Sequence, residues 1–307
     1  MNENKYTYPN SSLWRLQHLL PLLSVVLLLM AAGCKQERLP GGRLLKFSFG
    51  STSQPDPDAI REIEVFVFDD REQLIGCTDT KSDGTVSLDY PQTSTLHCIA
   101  WGNSKNSSLE LPLLQPGDPF DKRYLALKKI SSIQGGTQFY NTPPNLFRGA
   151  IQLDNNPTPS NRQPVTIPMV MQPTTASIHI TIGGLPEATG TETGDYAIVV
   201  DGASSRIDFS GNYSGKAVHR LTGSFNTRKE YIIPAFRLFP PAAGKGIRID
   251  VSHDGKLLKS ITQTSDGERL LPVAGKALEL SIKFTPDGVE VKQPGSDPTD
   301  IEVVYPK

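Results

Sequence analysis

Hydrophobic and polar residues alternate with a period of two along several stretches of this chain. The alternation is clearest in three runs, at positions 177–182, 247–252 and 278–284. Successive side chains of a β-strand point to opposite faces of a sheet, so each run predicts a strand with one buried and one solvated face. The first run places three isoleucines on the buried face and His179 on the solvated face.

The segment 63–68 has a different pattern, because it is apolar on both faces for most of its length. Such a segment is typical of a central strand that is covered on both sides. Asp-Gly pairs lie between predicted strands, and this dipeptide accepts the positive φ angles that tight hairpin turns require. The five pairs are at 83–84, 201–202, 254–255, 266–267 and 287–288.

Helix signals are nearly absent from the rest of the pattern. No window has a sustained 3.6-residue apolar stripe with caps, and residues 121–130 are the stretch that could form a short helix. Repeated short strands separated by tight turns indicate antiparallel β-sandwiches. The sequence therefore predicts an all-β fold.

Two breaks in the strand pattern predict the domain organisation. Pro173 interrupts the pattern within 172–175, and proline cannot continue a central ladder. We therefore expect one β-sandwich domain over 34–172 and a second over 173–307. A Pro- and Gly-rich stretch at 294–298 then isolates a C-terminal strand within 299–305.

The N-terminus has the features of an export signal. Basic residues precede an apolar stretch at 19–32, which ends in small residues directly before Cys34. This arrangement indicates a secretory signal peptide over 1–33. A cysteine at this point resembles a bacterial lipobox, in which the thiol is diacylated, and two or three acyl chains hold a protein stably at a membrane. An ordinary signal peptide that happens to contain a cysteine is the alternative.

Composition narrows the class of protein. A formal net charge of −1 removes the electrostatic case for nucleic acid as a partner. Three cysteines cannot form a disulfide framework, so a packed core must hold the fold together. Cys77 and Cys98 could form one disulfide in an oxidising compartment, or they could be two buried free thiols.

The sequence gives little support for a metal site, a catalytic site or a sugar-binding site. The five histidines, at 18, 97, 179, 219 and 253, lack zinc-site spacing, so no metal site is predicted. No nucleophile elbow or phosphate-binding loop is present, and we expect no enzyme activity and no cofactor other than lipid on Cys34. The carboxylates at 56, 58, 69, 70 and 72 could hold Ca²⁺, but solvated loop side chains are the favoured interpretation. Trp101 could stack on a sugar, although packing at a strand end is favoured.

Five segments in order resemble one known family. They are the lipobox at Cys34, the strand 63–69, the segment 98–103, the segment 145–149, and 165–169 leading into 176–180. Together they resemble the FimB-type fimbrial anchor lipoproteins of Bacteroidales, the base subunits of type V pili. The resemblance implies two tandem transthyretin-like (Greek-key) β-sandwiches and no catalytic residues. It also implies fimbrial shaft subunits as partners and a lipid-anchored, surface-exposed location at the outer membrane.

The expected function is that of a fimbrial subunit, most specifically the lipid-anchored base subunit that takes part in assembly by strand addition. In this hypothesis the C-terminal strand is donated to a neighbour, with Ile301, Val303 and Tyr305 on one face. Its rival is a strand that closes an edge of its own domain. Other readings are a surface lipoprotein that binds a glycan or host ligand, and a shaft or tip pilin, since proteolysis at Arg38 or Arg43 would give a shaft subunit.

Overall fold

The computed structural model describes residues 43–49, 60–80, 84–111, 113–134, 136–154, 166–242 and 244–294. Nearly every regular element within these ranges is a strand, and the all-β prediction is confirmed. One short α-helix, α1 (Leu185–Thr189), and a 3-10 turn, Phe120–Lys122, are the exceptions in the described part. None of the helices in these ranges has the length and apolarity needed to cross a membrane.

The strands before position 174 are, in chain order, β1 (Arg43–Phe49), β2 (Ile63–Phe68), β3 (Leu74–Asp79), β4 (Thr85–Leu88), β5 (Thr95–Gly102), β6 (Leu109–Glu110), β7 (Tyr124–Leu127), β8 (Lys129–Gln134), β9 (Thr137–Tyr140), β10 (Phe147–Asp154) and β11 (Thr166–Pro173). We call the described residues 43–173 the first half. Seven of these strands form one sheet in the order β3-β2-β5-β10-β11-β1-β4.

The strands after position 175 are β12 (Ala176–Gly183), β13 (Tyr196–Ala203), β14 (Arg206–Asp208), β15 (Tyr213–Ser214), β16 (Ala217–Leu221), β17 (Ser224–Phe225), β18 (Tyr231–Leu238), β19 (Arg248–His253), β20 (Lys256–Ile261), β21 (Ala277–Thr285) and β22 (Gly288–Lys292). We call residues 176–294 the second half. It contains a five-stranded sheet, β17-β18-β12-β21-β22, and a four-stranded sheet, β16-β13-β19-β20.

The seven-stranded sheet folds over on itself between β10 and β11. These two strands pair only at Phe147↔Pro173 and Arg148↔Gln172, whereas β10 pairs with β5 along its whole length. Side chains from both parts of the sheet then share one core, among them Leu45, Val67 and Met171. A Cβ at Gly149 would lie 2.7 Å from the Met171 sulfur, so the methionine side chains of the facing layer pack closely over this glycine.

The predicted strand pattern is observed. The three isoleucines of the run at 177–182 are buried in β12, and His179 is exposed. The runs at 247–252 and 278–284 contain β19 and most of β21, again with the apolar face buried. The apolar segment 63–68 is β2, which lies between β3 and β5, so the prediction of a central strand is confirmed.

Both halves begin with a strand that pairs in parallel with a late strand of the same half. In the first half β1 pairs with β11, and in the second half β12 pairs with β21. Most other neighbours are antiparallel. A parallel pair between distant strands requires a crossover rather than a hairpin, so each half brings the two ends of its chain segment together.

Two local predictions were wrong. Residues 121–130 form the 3-10 turn and then β7 rather than a helix, because Leu125 and Leu127 alternate onto a buried face and the strand pairs on both sides. The Asp201-Gly202 pair is a bulge inside β13 instead of a turn. Asp201 is buried there with Lys216 and Arg248 nitrogens at 2.9 and 3.0 Å, so tertiary ion pairs hold it in the sheet.

The Asp254-Gly255 prediction is confirmed. The pair joins β19 to β20, and the two residues have φ angles of 48° and 77°. Positive φ at both central positions is what a two-residue hairpin with a type I′ turn requires.

Candidate functional site

The two halves are joined by a strand excursion from the second half. Strand β14 leaves its own sandwich and pairs with β7 of the first half, with Arg206 opposite Ala126 and Ile207 opposite Leu125. The result is a four-stranded sheet, β15-β14-β7-β6, built from both halves. The chain therefore makes main-chain hydrogen bonds across the predicted division at 172, and the division itself stays a prediction.

Phe209, directly after β14, fills the space between the halves. Its side chain is fully buried. Its ring makes edge contacts with Phe66 at 5.1 Å, Trp101 at 5.8 Å and Phe68 at 6.1 Å between centroids. Burial of an aromatic side chain removes about 150–250 Å² of surface from water. Phe209 therefore extends the hydrophobic core of the second half into that of the first. We call the contacts of β14 and Phe209 with the first half the joint.

Arg148 on β10 fixes the backbone of the joint. Its Nε and Nη2 both donate to the Phe209 carbonyl oxygen, at 2.9 and 2.6 Å. Burial lowers the pKa of Arg148, while the nearby Asp208 carboxylate opposes that shift. A charged donor to a carbonyl makes a stronger hydrogen bond than a neutral one, so Arg148 holds the excursion in place.

A buried histidine adds a second contact between the halves. His219 on β16 is completely buried, and its Nδ1 lies 3.2 Å from the carbonyl oxygen of Tyr140, the last residue of β9. Because a carbonyl only accepts, Nδ1 carries the proton. Burial lowers the pKa of His219 to about 4, so the ring is neutral near pH 7.

Trp101 packs in the core, as the favoured prediction had it. It lies at the end of β5, is fully buried and contacts the Phe209 ring. The alternative of an exposed sugar-stacking platform at Trp101 is wrong, because no face of the indole is open to a ligand.

The Cys77–Cys98 disulfide is absent from the structure, and both thiols are free. Cys77 is opposite Phe66 in the sheet, whereas Cys98 is opposite the next residue of β2, Val67. Neighbouring positions of one strand point to opposite faces, so the two thiols lie on opposite faces with a strand between them. This placement does not allow the short Cα separation that a disulfide needs.

The two thiols are also poorly reactive. Cys77 is exposed at the surface, but partial burial of its thiol raises its pKa to about 12, with the Glu64 carboxylate adding to the effect. Burial alone raises the pKa of Cys98 to about 12. The thiolate is the nucleophile and the metal ligand, and both groups stay protonated near pH 7.

Within the described ranges, no group of three or more His, Cys, Asp or Glu side chains could hold a metal ion. The side chain of Asp69, one of the candidate calcium ligands, accepts from the backbone N–H of Arg71 and Gln73 at 2.9 Å each. This carboxylate therefore closes a turn. Asp56 and Asp58 lie outside the described residues.

An apolar groove opens at one end of the second half, with a volume of about 470 Å³. Leu271 and Val273 on its wall are large apolar side chains that are 49% and 45% exposed. The six residues that define this apolar groove are Tyr213, Pro240, Pro241, Leu271, Pro272 and Val273.

The residues on which the predicted function depends lie elsewhere. Cys34 and the signal peptide, and the candidate donor residues Ile301, Val303 and Tyr305, are outside the described residues. What sequence reasoning missed is the joint. Arg148 belongs to a segment that carried the resemblance, but neither its partner Phe209 nor the burial of His219 has a signal in the linear pattern.

Comparison with known proteins identifies the family of this chain. Residues 37–303 match the family model of fimbrillin-A associated anchor proteins Mfa1 and Mfa2. The chain belongs to this family. It is also 25% identical over 244 residues to the major fimbrium anchoring subunit FimB of Porphyromonas gingivalis, which covers 73% of this chain and 74% of that protein. The resemblance inferred from the sequence is thereby confirmed.

Solved structures share the fold at low sequence identity. The fimbrial anchor protein Mfa2 from P. gingivalis superimposes with a TM-score of 0.58 at 12% identity, covering 81% of this chain and 94% of its own. A candidate polysaccharide-binding protein from Bacteroides thetaiotaomicron gives a TM-score of 0.60 at 14% identity, covering 82% and 98%. This member of the anchor family therefore shares the β fold of these solved structures.

Proposed function

We propose that this chain is the base subunit that holds a fimbria at the outer membrane through acyl chains on Cys34. The carrying observation is that the anchor-family match begins at residue 37, three residues after Cys34. Cleavage before Cys34 would leave the whole matched body attached to the lipid. Two or three acyl chains together hold a protein at a membrane, whereas one does not.

The joint supports this role mechanically. Pulling on a fimbria loads the chain between its lipid and its contact with the next subunit. The excursion of β14 and the Arg148–Phe209 hydrogen bonds tie the halves together by contacts additional to the short link at 174–175. We propose that the two halves are the tandem transthyretin-like sandwiches of the family, and the parallel pairing of β1 with β11 and of β12 with β21 supports this.

Assembly by strand addition is the second part of the proposal. The C-terminal segment with Ile301, Val303 and Tyr305 would add a strand to the first shaft subunit, where main-chain hydrogen bonds supply affinity. Its alternating apolar residues and its position after a Pro- and Gly-rich stretch support a donor.

Replacing Cys34 by alanine tests the anchor. We expect fimbriae to appear in the medium and cell-bound fimbriae to fall more than tenfold, measured by immunoblotting of cell and medium fractions. Cys77→Ala is the matched control, since it removes an exposed thiol of the body and should leave fimbriae attached. Full cell attachment in Cys34→Ala would overturn the anchor role.

Deleting residues 294–307 tests the donor strand. We expect a protein that still folds and unfolds cooperatively but no longer co-purifies with shaft subunits. A strongly lowered melting temperature would instead identify the segment as a closing strand of its own domain.

A further inference from the structure

The apolar groove presents half-exposed apolar side chains to solvent. Its floor is formed by buried prolines, Pro240 and Pro241, and Leu271 and Val273 stand on its rim half exposed. The Tyr213 ring is held in place, because its hydroxyl donates to the Thr174 carbonyl oxygen at 2.8 Å. A rigid concave apolar surface of this kind is typical of a binding site for apolar side chains.

The chain leaves the described structure toward this groove. Strand β22 runs antiparallel to β21 and ends with Lys292 opposite Ser281. Its direction carries the chain toward Ala277, the start of β21, and the groove residues 271–273 come just before that point in the chain. Pro294 lacks an N–H and would fall within the next rungs, which explains why the ladder ends there.

The remaining length is sufficient to reach the groove. Ala277 is four residues along β21 from Ser281, about 14 Å at 3.4 Å per residue. The seven residues from 294 to 301 span at most about 25 Å when extended. A tether this short gives an effective concentration on the order of millimolar, which favours the chain's own segment over a second molecule.

The chemistry of the segment matches the groove. In an extended segment Ile301, Val303 and Tyr305 would share one apolar face, as the groove requires. Asp300 and Glu302 alternate with these apolar residues in the sequence. On the groove side, the exposed Lys245 and Lys276 come one and two residues after the groove-lining positions 244 and 274. Opposite charges at a rim favour one orientation and speed docking.

We propose that the C-terminal segment 301–305 docks into the apolar groove of its own chain before assembly. The docking itself is inferred from the groove and from the direction in which the chain leaves β22. Its role in assembly rests on the proposed donor function of the segment. Docking in cis would cover the apolar face of a donor strand until a shaft subunit displaces it, which prevents premature pairing with other edges.

A cysteine pair tests the docking. In the full chain with Cys34→Ser and Cys77→Ser, Val303→Cys is combined with Val273→Cys and oxidised with glutathione disulfide. We expect a disulfide within one chain, detected by mass spectrometry and by migration as a monomer in a non-reducing gel. Tyr305→Cys with Leu271→Cys is a second pair, in case the first disturbs folding.

The matched control pairs Val303→Cys with Leu257→Cys. Leu257 is 57% exposed on β20 and pairs opposite Ser252, near the C-terminal end of β19. The groove lies beside the chain that enters β19 at its other end, so Leu257 is an exposed position away from the groove. We expect the groove pair to oxidise at least tenfold faster than the control pair. Equal rates, or a disulfide formed only between two chains, would overturn docking in cis.

The outcome is separable from that of the proposed function. Release of fimbriae by Cys34→Ala and loss of shaft co-purification on deletion of 294–307 do not depend on the groove. A failed cross-link with both of those results intact would therefore reject only the cis docking.

Discussion

His219 shows what burial does to a single titratable side chain. The ring has no exposed surface and one hydrogen bond, to the Tyr140 carbonyl oxygen, so the neutral form is strongly preferred in the folded protein. The unfolded chain binds a proton at the ordinary pKa of 6.5, whereas the folded chain binds one only near a pKa of about 4. His219 therefore stabilises the fold fully above pH 6.5 and progressively less as the pH falls toward 4.

His219→Gln should flatten this pH dependence. The difference between the two pKa values corresponds to about 3 kcal/mol when the pH is near 4. We expect the free energy of unfolding of the wild type to drop between pH 7 and pH 4.5 by about 2 kcal/mol more than that of His219→Gln. Urea denaturation at the two pH values measures this.

His179→Gln is the control for that experiment, since His179 is exposed on the solvated face of β12. Carboxylates titrate in all three proteins and cancel in the comparison. An identical pH dependence of wild type and His219→Gln would contradict the assignment of His219 as the source of the extra loss.

At the scale of elements, strand pairing depends on a few turn residues. The hairpin of β19 and β20 requires a φ of 77° at Gly255, a region that glycine enters without a steric penalty. A Cβ there would meet no atom within 4 Å, so any cost of adding one comes from the backbone alone.

Gly255→Ala should lower the free energy of unfolding by about 1 kcal/mol, the cost of placing an L-residue in the left-handed region. Gly183→Ala is a matched control, because a Cβ at Gly183 also meets nothing within 4 Å and its φ is outside that region. Thermal melts of the two variants measure the difference. Equal losses would contradict the left-handed φ of Gly255 as the source of its larger cost.

The molecule as a whole depends on the joint. Phe209 is shared by the aromatic cluster of the first half and the excursion of the second, so neither half can unfold without exposing surface of the other. We therefore expect the two halves to unfold in one cooperative transition.

Phe209→Ala should break this cooperativity. Removing a buried aromatic ring costs about 3–5 kcal/mol, and the loss falls on the joint. In the chain from residue 34 onward Trp101 is the sole tryptophan, so its fluorescence reports on the first half while far-UV circular dichroism reports on both. We expect coincident urea transitions for the wild type and separated ones for Phe209→Ala.

Leu113→Ala is the control for the joint, since Leu113 is 89% exposed and should leave both transitions in place. Coincident transitions in Phe209→Ala, merely shifted to lower urea, would show that the halves remain coupled without this side chain.

The sequence by itself determined the β class, several of the strands and the family. The alternation around Ile178 and the doubly apolar segment 63–68 are local patterns, and period two maps directly onto the faces of a strand. The Asp254-Gly255 turn is equally local, because the backbone requirement lies within the pair. The burial of Trp101 followed from the tendency of large aromatic side chains to contribute core area.

Only the tertiary structure decided which strands meet. Asp201-Gly202 has the composition of a turn, yet Asp201 pairs with Val218 and Arg248 in the strands on either side, which keeps it in a sheet. The opposite faces of Cys77 and Cys98 depend on the register of β3 and β5 against β2, and the joint depends on Phe209 meeting Arg148. Pairings between residues far apart in the chain are set by the packing of the whole core, and no local pattern contains them.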